Sequence, residues 1–411
     1  MAEDPQLEAL QDRLLHRIES YVPVRGRPAP PRPALIEAFR RYPRHLFLPR
    51  YRPADQPEGP ALAPGDAGFP DGAYEDCPLW YVDDRGASLP ASCSEPGFIF
   101  HLAELLDVRP GHRVLEIGCG TGWLLAILAH AAGPDGEALG VEINPALQAL
   151  ATRNLAVTGA PNAIAVAGDG LAAAGPGPFD RIIMTASAWH LPAATLTLLT
   201  EGGLAILPIR NKGLSEEVHV LERRGPALVS RLTRLCRFVP LAGRDGADAD
   251  LLMPRLTADP DIARLGETGQ PRSLDFGQSA PDRMMPPALA FTAWASKLEP
   301  RFRAWRLGPG DGRPSLFGDP EMHGFGLVDT AAGSATLWRA GQVIAYGDES
   351  TRDALFDHLA RWTTQGGPTG YAFGLGIAAA GAASPVSHHA YRERRGPLDF
   401  WWWLRPPAER L

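Results

Sequence analysis

Short apolar runs of strand length alternate with helical patterns through the middle of the chain, and this alternation limits the fold more than any other feature. The runs are RVLEI (113–117), ALGVEI (138–143), AIAVA (163–167), DRIIMT (180–185) and LAILP (204–208). Helical patterns at 123–132, 145–158 and 191–199 separate them. Parallel strands need such crossover connections, so the pattern predicts an α/β fold with a Rossmann-like, doubly wound parallel sheet.

A glycine-rich turn joins the first of these strands to its helix. In VLEIGCGTGW the glycines are Gly118, Gly120 and Gly122, and a residue without Cβ is needed where the backbone turns tightly and a ligand approaches it. The dinucleotide fingerprint places another glycine three residues after the second one, but this chain has Trp123 there. A nucleoside site is therefore predicted, and S-adenosylmethionine is favoured over NAD as its ligand.

Acidic side chains follow the next two strands. Glu142 ends the second strand, where a carboxylate can accept both ribose hydroxyls, and Asp169 follows the third, where it can accept from an adenine amino group. The alternative is that the glycines form only a tight turn and that both carboxylates are helix caps. The predicted cofactor site comprises Glu116, Gly118, Gly120, Gly122, Glu142, Ile143, Asp169 and Gly170.

Charge and cysteine content exclude several classes of protein. The 411 residues carry a net charge of −7 without a long basic run, which argues against a nucleic-acid or membrane-surface binder. The four cysteines contain no CxxC pair, so neither a zinc site nor a disulfide framework is predicted, and we expect no metal. The N-terminus is acidic and no apolar run reaches membrane-spanning length, so we expect a cytoplasmic protein.

The flanking regions carry weaker patterns. Upstream, helical spacing of apolar residues predicts helices at 6–21 and 33–41, and a Pro- and Gly-rich stretch predicts a surface loop at 50–72. Downstream we expect a hairpin at 216–223 and 230–241 where the sheet closes, a linker at 242–287, a second hairpin at 334–347 and a helix at 351–362. These patterns divide the chain into a nucleoside-binding domain at 1–245 and a smaller α+β domain at 246–411.

Motifs in a fixed order are similar to those of one enzyme family. They are PRHLFLPRY, AYEDCPL, SCSEP, RVLEIGCGTGW, VEIN, GDG, FDRIIMTASA, EGGLAILPI and RFVPLAG, and they span most of 43–243. In this region the chain resembles the protein-L-isoaspartate O-methyltransferase family. The resemblance implies a class I methyltransferase fold for residues 1–245, S-adenosylmethionine as cofactor, and esterification of an Asp or isoAsp carboxylate in a peptide or protein. It says nothing about the oligomeric state.

The resemblance also implies roles for the segment SCSEP. In the family a T-x-S-Q-P segment lies over the methyl donor, and its serine contacts the substrate carboxylate. The match gives Ser92 the threonine place and Ser94 the serine place, as catalytic residues, and Glu95 the glutamine place in the substrate site. A charged Glu95 would repel an anionic substrate unless it is protonated or turned away. For Ser94, the alternative is a cap of the following helix.

After the fourth strand, TASAWHLP departs from the family pattern. Trp189 and His190 stand where the family has smaller or proline-containing sequence. We regard both as candidates for substrate binding, while the alternative for His190 is an ordinary loop histidine.

More than a third of the chain lies beyond the resembling region. Extended members of the family resemble methyltransferases that tailor ribosomally made peptides, esterifying an Asp so that an aspartimide can close. The run DFWWWLRPP, with Trp401, Trp402 and Trp403, either docks a substrate peptide as an edge strand or closes a hydrophobic core. We expect peptide tailoring. The alternatives are general repair of isoaspartyl proteins and a donor-binding pseudoenzyme that chaperones a peptide.

Overall fold

The computed structural model describes three β-sheets, of three, ten and five strands. The description covers residues 5–21, 31–56, 58–83, 85–173, 175, 177–213, 215–244, 252–274, 276, 285–307 and 323–409. Among these residues, none of the helices combines the length and the apolar character that crossing a bilayer requires.

The chain begins with two helices, α1 (Pro5–Glu19) and α2 (Pro33–Arg41), which confirms the predicted helical lead-in. The predicted loop at 50–72 is partly wrong, because it contains strand β1 (Tyr51–Pro53) and the start of helix α3 (Phe69–Ala73). Tyr51 is fully buried, and its hydroxyl donates to the carbonyl of Phe69 at 2.5 Å. A three-residue strand is too short to show a period in the sequence. Strands β2 (Leu79–Val82) and β3 (Ser88–Cys93) complete the small antiparallel sheet.

A parallel core sheet confirms the predicted fold class. Its strands are β4 (Arg113–Ile117), β5 (Glu137–Glu142), β6 (Ala163–Ala167), β7 (Phe179–Met184) and β8 (Leu199–Arg210), in the order β6-β5-β4-β7-β8. Adjacent strands pair in parallel throughout. Because β4 has β5 on one side and β7 on the other, the carboxyl ends of these three strands form the crevice where such sheets bind ligands.

Of the three predicted crossover helices, two form at their predicted positions and one does not. Helix α4 (Pro96–Leu106) precedes the core sheet, and α5 (Trp123–Ala132) and α6 (Pro145–Thr158) connect its strands. The helix predicted at 191–199 is wrong: only the 3₁₀ turn Ala193–Leu196 forms there. The residues before this turn bridge to other strands instead, since Ala188 pairs with Ile209 and the N–H of Ser187 donates to the carbonyl of Val239.

A five-stranded antiparallel sheet follows in the second half of the chain. Its strands are β11 (Glu267–Ser273), β12 (Phe302–Arg306), β13 (His323–Asp329), β14 (Ser334–Arg339) and β15 (Gln342–Gly347). Strands β14 and β15 form the predicted hairpin. The helices here are α7 (Pro260–Arg264), α8 (Pro287–Leu298) and α9 (Ser350–Thr364), of which α9 confirms the helix predicted from 351.

The expectation that the core sheet closes at the hairpin near residue 241 is wrong. Strands β9 (Glu216–Arg224) and β10 (Ala227–Leu235) do form that hairpin. However, β16 (Phe373–Ala379) then pairs with β10, β18 (Leu398–Leu404) pairs with β16, and β17 (Tyr391–Arg395) forms the outer edge. Strands β16, β17 and β18 thus extend the core sheet to ten strands. The division into domains at residue 245 stays a prediction.

Alternate residues of the core strands face two different apolar clusters. Val114 and Ile183 pack in the cluster that contains residues of α1, α2, α4 and α5. Their neighbours Leu115 and Ile182 pack in a second cluster, together with Trp294 and other buried residues of the C-terminal segment, by which we mean residues 246–411. The C-terminal segment therefore covers one face of the sheet whose crevice holds the predicted site.

Candidate functional site

The glycine turn between β4 and α5 has the backbone geometry that its sequence requires. Gly118, Gly120 and Gly122 have φ values of 86°, 54° and 90°, a region that L-residues rarely adopt. A Cβ on Gly118 would lie 3.0 Å from Thr185 Oγ1, and one on Gly122 would lie 3.3 Å from the Cβ of Ala151. The turn thus packs closely against Ala151 of α6 and against Thr185, the residue that follows β7.

Two hydroxyl contacts hold this turn, and no sequence pattern predicts them. Thr185 Oγ1 donates to the carbonyl of Gly118 at 2.7 Å. Tyr81, fully enclosed in β2, places its hydroxyl 3.0 Å from Thr121 Oγ1. Threonine and tyrosine are common in strands and loops, so only the fold identifies these two as supports of the turn.

Glu142 bridges the turn and the start of α6. Its Oε2 accepts from the backbone N–H of Gly120 at 2.8 Å, and its Oε1 accepts from the N–H of Asn144 at 2.9 Å. The carboxylate is 7% exposed, and each oxygen keeps accepting capacity beyond its one hydrogen bond. The predicted ribose acceptor is therefore at the carboxyl end of β5, beside the turn.

Glu116 lies beneath the same crevice. It is 2% exposed, and burial, then the nearby charge of Glu142, raise its pKa well above the ordinary value for a carboxyl. Its Oε2 is buried and has no hydrogen-bond partner among the described residues. A cationic donor beside this carboxyl, such as the ammonium of an amino-acid ligand, would favour its charged form and donate to the unpartnered oxygen.

Three residues of the predicted cofactor site lie close to residues 243 and 244. Asp169 Oδ2 accepts from the N–H of Arg244 at 2.9 Å. A Cβ on Gly243 would collide with Asp169 Oδ1 and would lie 2.8 Å from Ile143 Cδ1. Gly243 thus packs directly on Asp169 and Ile143, while Gly170 follows Asp169 with a φ of 49°. The fold brings all three predicted residues to the carboxyl ends of β5 and β6.

A buried arginine fixes the predicted acceptor segment next to the turn. Arg44 is 0% exposed and donates to the carbonyls of Ser94 at 3.0 Å and Cys93 at 3.3 Å. It also donates to the carbonyls of Ala73, Glu75 and Cys77, and its guanidinium lies 5.3 Å from the centre of the Trp123 ring. Trp123 begins α5, so Arg44 sets the segment 92–95 beside the first residue after the glycine turn.

The start of α4 bears on the alternative role of Ser94. The helix begins at Pro96 with Glu95 at the N-cap, and the Glu95 side chain makes no capping hydrogen bond. Ser94 stands one residue before the cap, and Ser92 lies in β3 opposite Trp80 of β2. These contacts give the helix-cap alternative no support. The catalytic roles of Ser92 and Ser94 stay predictions.

Glu95 has an environment that changes its charge. Burial, followed by the negative charge of Asp76, raises the pKa of Glu95 to about 7, although Arg44 opposes the shift. Asp76 itself accepts from the N–H of Gly97 at 2.7 Å, at the start of α4. A substantial fraction of Glu95 is therefore protonated near neutral pH, which removes much of the expected repulsion of an anionic substrate.

Trp189 and His190 follow β7 at the same end of the sheet, and both are partly buried. The preceding residues are anchored, because the N–H of Ser187 donates to the carbonyl of Val239, and the N–H of Leu241 donates to the carbonyl of Ser187, each at 2.8 Å. The substrate-binding role of Trp189 and His190 stays a prediction.

The three consecutive tryptophans lie within the extended sheet. Strand β18 has β16 on one side and β17 on the other, so it has no free edge to which a peptide strand can add. Trp402 and Trp403 are 0% and 5% exposed, and Trp401 is partly buried. The alternative of a core strand accounts for Trp402 and Trp403, and a substrate role for the three residues stays a prediction.

Comparison with known proteins points to one family. A family model described as protein-L-isoaspartate(D-aspartate) O-methyltransferase matches residues 65–246. The protein-L-isoaspartate O-methyltransferase of Methanopyrus kandleri is 33% identical over 249 residues, which is 60% of this chain and 97% of that protein. An Archaeoglobus fulgidus enzyme of the same name, numbered 1, is 35% identical over 214 residues, covering 52% of this chain and 87% of its own length.

One solved structure extends the likeness beyond the family region. It is titled protein-L-isoaspartate O-methyltransferase, and it aligns with 89% of this chain and 96% of its own, at 21% identity and a TM-score of 0.50. At this identity the comparison concerns the fold alone. An alignment of that extent reaches well into the C-terminal segment.

Proposed function

This chain belongs to the protein-L-isoaspartate O-methyltransferase family, and we propose that it methylates the side-chain or α-carboxylate of an aspartyl or isoaspartyl residue in a peptide or protein. It is an S-adenosylmethionine-dependent carboxyl O-methyltransferase. The proposal concerns the acceptor and the residues that bind it.

The residues in the crevice fit the methyl donor. Glu116 has a buried oxygen suited to an ammonium, Glu142 has spare accepting capacity for hydroxyls, and Asp169, just past the carboxyl end of β6, is proposed to accept from the adenine amino group. When bound, S-adenosylmethionine supplies an electrophilic methyl group. Glycines at 118 and 120 leave the backbone of the turn free of side chains where the ligand approaches.

The acceptor needs positioning more than activation. A carboxylate is already ionised near neutral pH, so no residue has to remove a proton from it. Ser94, and Ser92 beside it, are proposed to hold a carboxylate oxygen by hydrogen bonds from their hydroxyls. Exclusion of water and a fixed orientation then account for most of the acceleration. The observation that carries the proposal is the fixation of this segment by Arg44 next to Trp123.

A narrower hypothesis is that the acceptor is a ribosomally made precursor peptide whose methyl ester closes to an aspartimide. Its main support was the C-terminal extension. A structure titled protein-L-isoaspartate O-methyltransferase has a similar fold over 89% of this chain. The extension is therefore weaker support for a peptide-tailoring enzyme. We therefore place isoaspartyl methylation first and peptide tailoring second.

The proposal is tested by mass spectrometry of peptides incubated with the protein and donor. Three synthetic peptides of one sequence carry L-isoaspartate, L-aspartate or asparagine at the same position. We expect the isoaspartyl peptide to gain a methyl group and then to lose methanol, and the asparagine peptide to remain unchanged. Methylation of the aspartyl peptide alone would favour tailoring. Absence of methylation in all three would leave a donor-binding pseudoenzyme and contradict the proposal.

A further inference from the structure

Arg395, at the end of the edge strand β17, reaches from the C-terminal segment to the loop after β7. Its Nη1 donates to the carbonyl of Trp189 at 3.1 Å and to that of Arg210 at 2.9 Å. Its guanidinium carbon lies 3.8 Å from the centre of the Trp189 ring. The two residues of this contact are 206 positions apart in the chain.

The guanidinium has no spare hydrogen-bonding capacity. Nε donates to Glu393 Oε2 at 3.0 Å, and Nη2 donates to Glu393 Oε2 at 2.7 Å and to Asn211 Oδ1 at 2.9 Å. With the two carbonyls, these contacts use all five N–H groups of an arginine. The side chain of Arg395 is 1% exposed. A side chain so fully bonded is held in one orientation, and it holds its partners in turn.

The contact is anchored on its far side by a second buried charge pair. Asn211, which accepts from Arg395, donates to Glu217 Oε2 at 2.6 Å. Glu217 pairs with Lys297 of α8 at 3.1 Å, and both side chains are 0% exposed. Hydrogen bonds through Asn211 and Glu217 thus connect Arg395 to helix α8 of the C-terminal segment. Through Arg395, the loop at Trp189 is connected to the same helix.

The contact with Trp189 connects Arg395 to the loop after β7, and the hydroxyl of Thr185 in that loop donates to the glycine turn. We propose that Arg395 is a positioning residue for acceptor binding. It holds the Trp189 ring in the place where that ring contacts the acceptor peptide. The C-terminal segment thereby controls the affinity for the peptide. This inference rests on the proposed methylation of a peptide carboxylate. It assigns no contact between Arg395 and the donor.

The test is steady-state methylation of a short peptide with one L-isoaspartyl residue, using Arg395→Met and Trp189→Ala. Each change is expected to raise KM for the peptide at least about tenfold, with kcat and the affinity for S-adenosylhomocysteine changed less than about twofold. The matched control is Arg392→Met, the same change at an exposed arginine of the same strand. It should leave KM unaltered.

A double variant separates positioning from general stability. If Arg395 acts through Trp189, Arg395→Met combined with Trp189→Ala should be no worse than Trp189→Ala alone. Multiplied effects would overturn the inference, as would an unchanged KM in Trp189→Ala. If Arg395→Met does not fold, Arg395→Lys replaces it, because lysine keeps the charge but not the five-donor fork. Wild-type protein without turnover would sink the proposed function, whereas wild-type turnover with insensitive variants would sink this inference alone.

Discussion

At the scale of single residues, we propose that Glu95 makes acceptor binding depend on pH. Glu95 stands at the N-cap of α4 with Asp76 close by, and the partly buried Tyr21 has its pKa raised to about 12 by burial and by these two carboxylates. Its own pKa of about 7 means that Glu95 gains its charge over the neutral range. That charge would then face an anionic acceptor.

We expect Glu95→Gln to flatten the pH profile. In the wild-type protein, kcat/KM for an isoaspartyl peptide should fall as the pH rises through about 7, because Glu95 deprotonates and repels the substrate carboxylate. Glutamine stays neutral, so the fall should disappear and the two proteins should converge at low pH. Kinetics between about pH 6 and pH 8.5 measure this. The same decline in both proteins would mean that Glu95 does not control acceptor binding.

Glu142→Gln should weaken donor binding without loss of the fold. Glutamine has one accepting oxygen where Glu142 uses two, and it lacks the charge that strengthens hydrogen bonds to hydroxyls. We expect a loss of about 1.5–3 kcal/mol in the binding of S-adenosylhomocysteine by calorimetry. The control is Glu137→Gln at the opposite end of β5, where the carboxylate is exposed and pairs with Arg113. Equal affinity in Glu142→Gln and wild type would remove Glu142 from the donor site.

Some of these residues could be predicted from the sequence and others could not, for a physical reason. The glycines, Glu142 and Asp169 are each tied to the end of a strand, so the strand pattern locates them. Arg44 and Arg395 act on backbone carbonyls that are far away in the chain, such as those of Ser94 and Trp189. A carbonyl acceptor exists at every position, so it leaves no signal in the sequence.

At the scale of elements, the two faces of β18 give its consecutive tryptophans different surroundings. Trp402 is 0% exposed, its ring centre lies 5.6 Å from that of His219, and the Lys297 Nζ lies 5.4 Å from it. Trp401 is partly buried on the other face of the strand, with the Arg392 guanidinium 5.9 Å from its ring.

We expect Trp402→Ala to lower the free energy of unfolding by about 3–5 kcal/mol, since it leaves a large cavity in a packed core. Trp401→Ala, the matched change at the partly buried neighbour, should lower it by less, about 1–2 kcal/mol. Denaturant unfolding followed by circular dichroism measures both. Equal, small losses would contradict a core role for this strand and return it to the substrate-docking hypothesis.

The strands of the core sheet could be predicted because parallel strands are buried on both faces and read as continuous apolar runs. Strand β16 could not be placed beside β10, because the register that pairs Leu228 with Ile377 depends on contacts across the whole chain. For the same reason the sheet was expected to close too early. The helix after β7 is missing because Ser187 and Ala188 bridge to Pro240 and Ile209, which are distant in the chain, and no local pattern shows such pairing.

At the scale of the whole molecule, the C-terminal segment completes the hydrophobic core of residues 1–245. Leu115 and Ile117 of β4 share a buried cluster with Trp294, Trp362 and Phe400. We expect a chain that ends after Gly243 to aggregate or to lose cooperative unfolding, because one sheet face and the edge of β10 become exposed. Size-exclusion chromatography and thermal unfolding would show it. A monomeric truncated protein that still binds S-adenosylhomocysteine would establish that residues 1–243 fold independently.

The central claim is that the segment 92–95 presents the acceptor carboxylate to a donor held at the glycine turn. The most direct test is Ser94→Ala, assayed at saturating donor with an isoaspartyl peptide while calorimetry follows S-adenosylhomocysteine. The claim requires turnover to fall at least about tenfold with donor affinity changed less than about twofold, because the hydroxyl meets the acceptor and not the adenosine. Wild-type turnover, or equal losses of turnover and donor affinity, would contradict it.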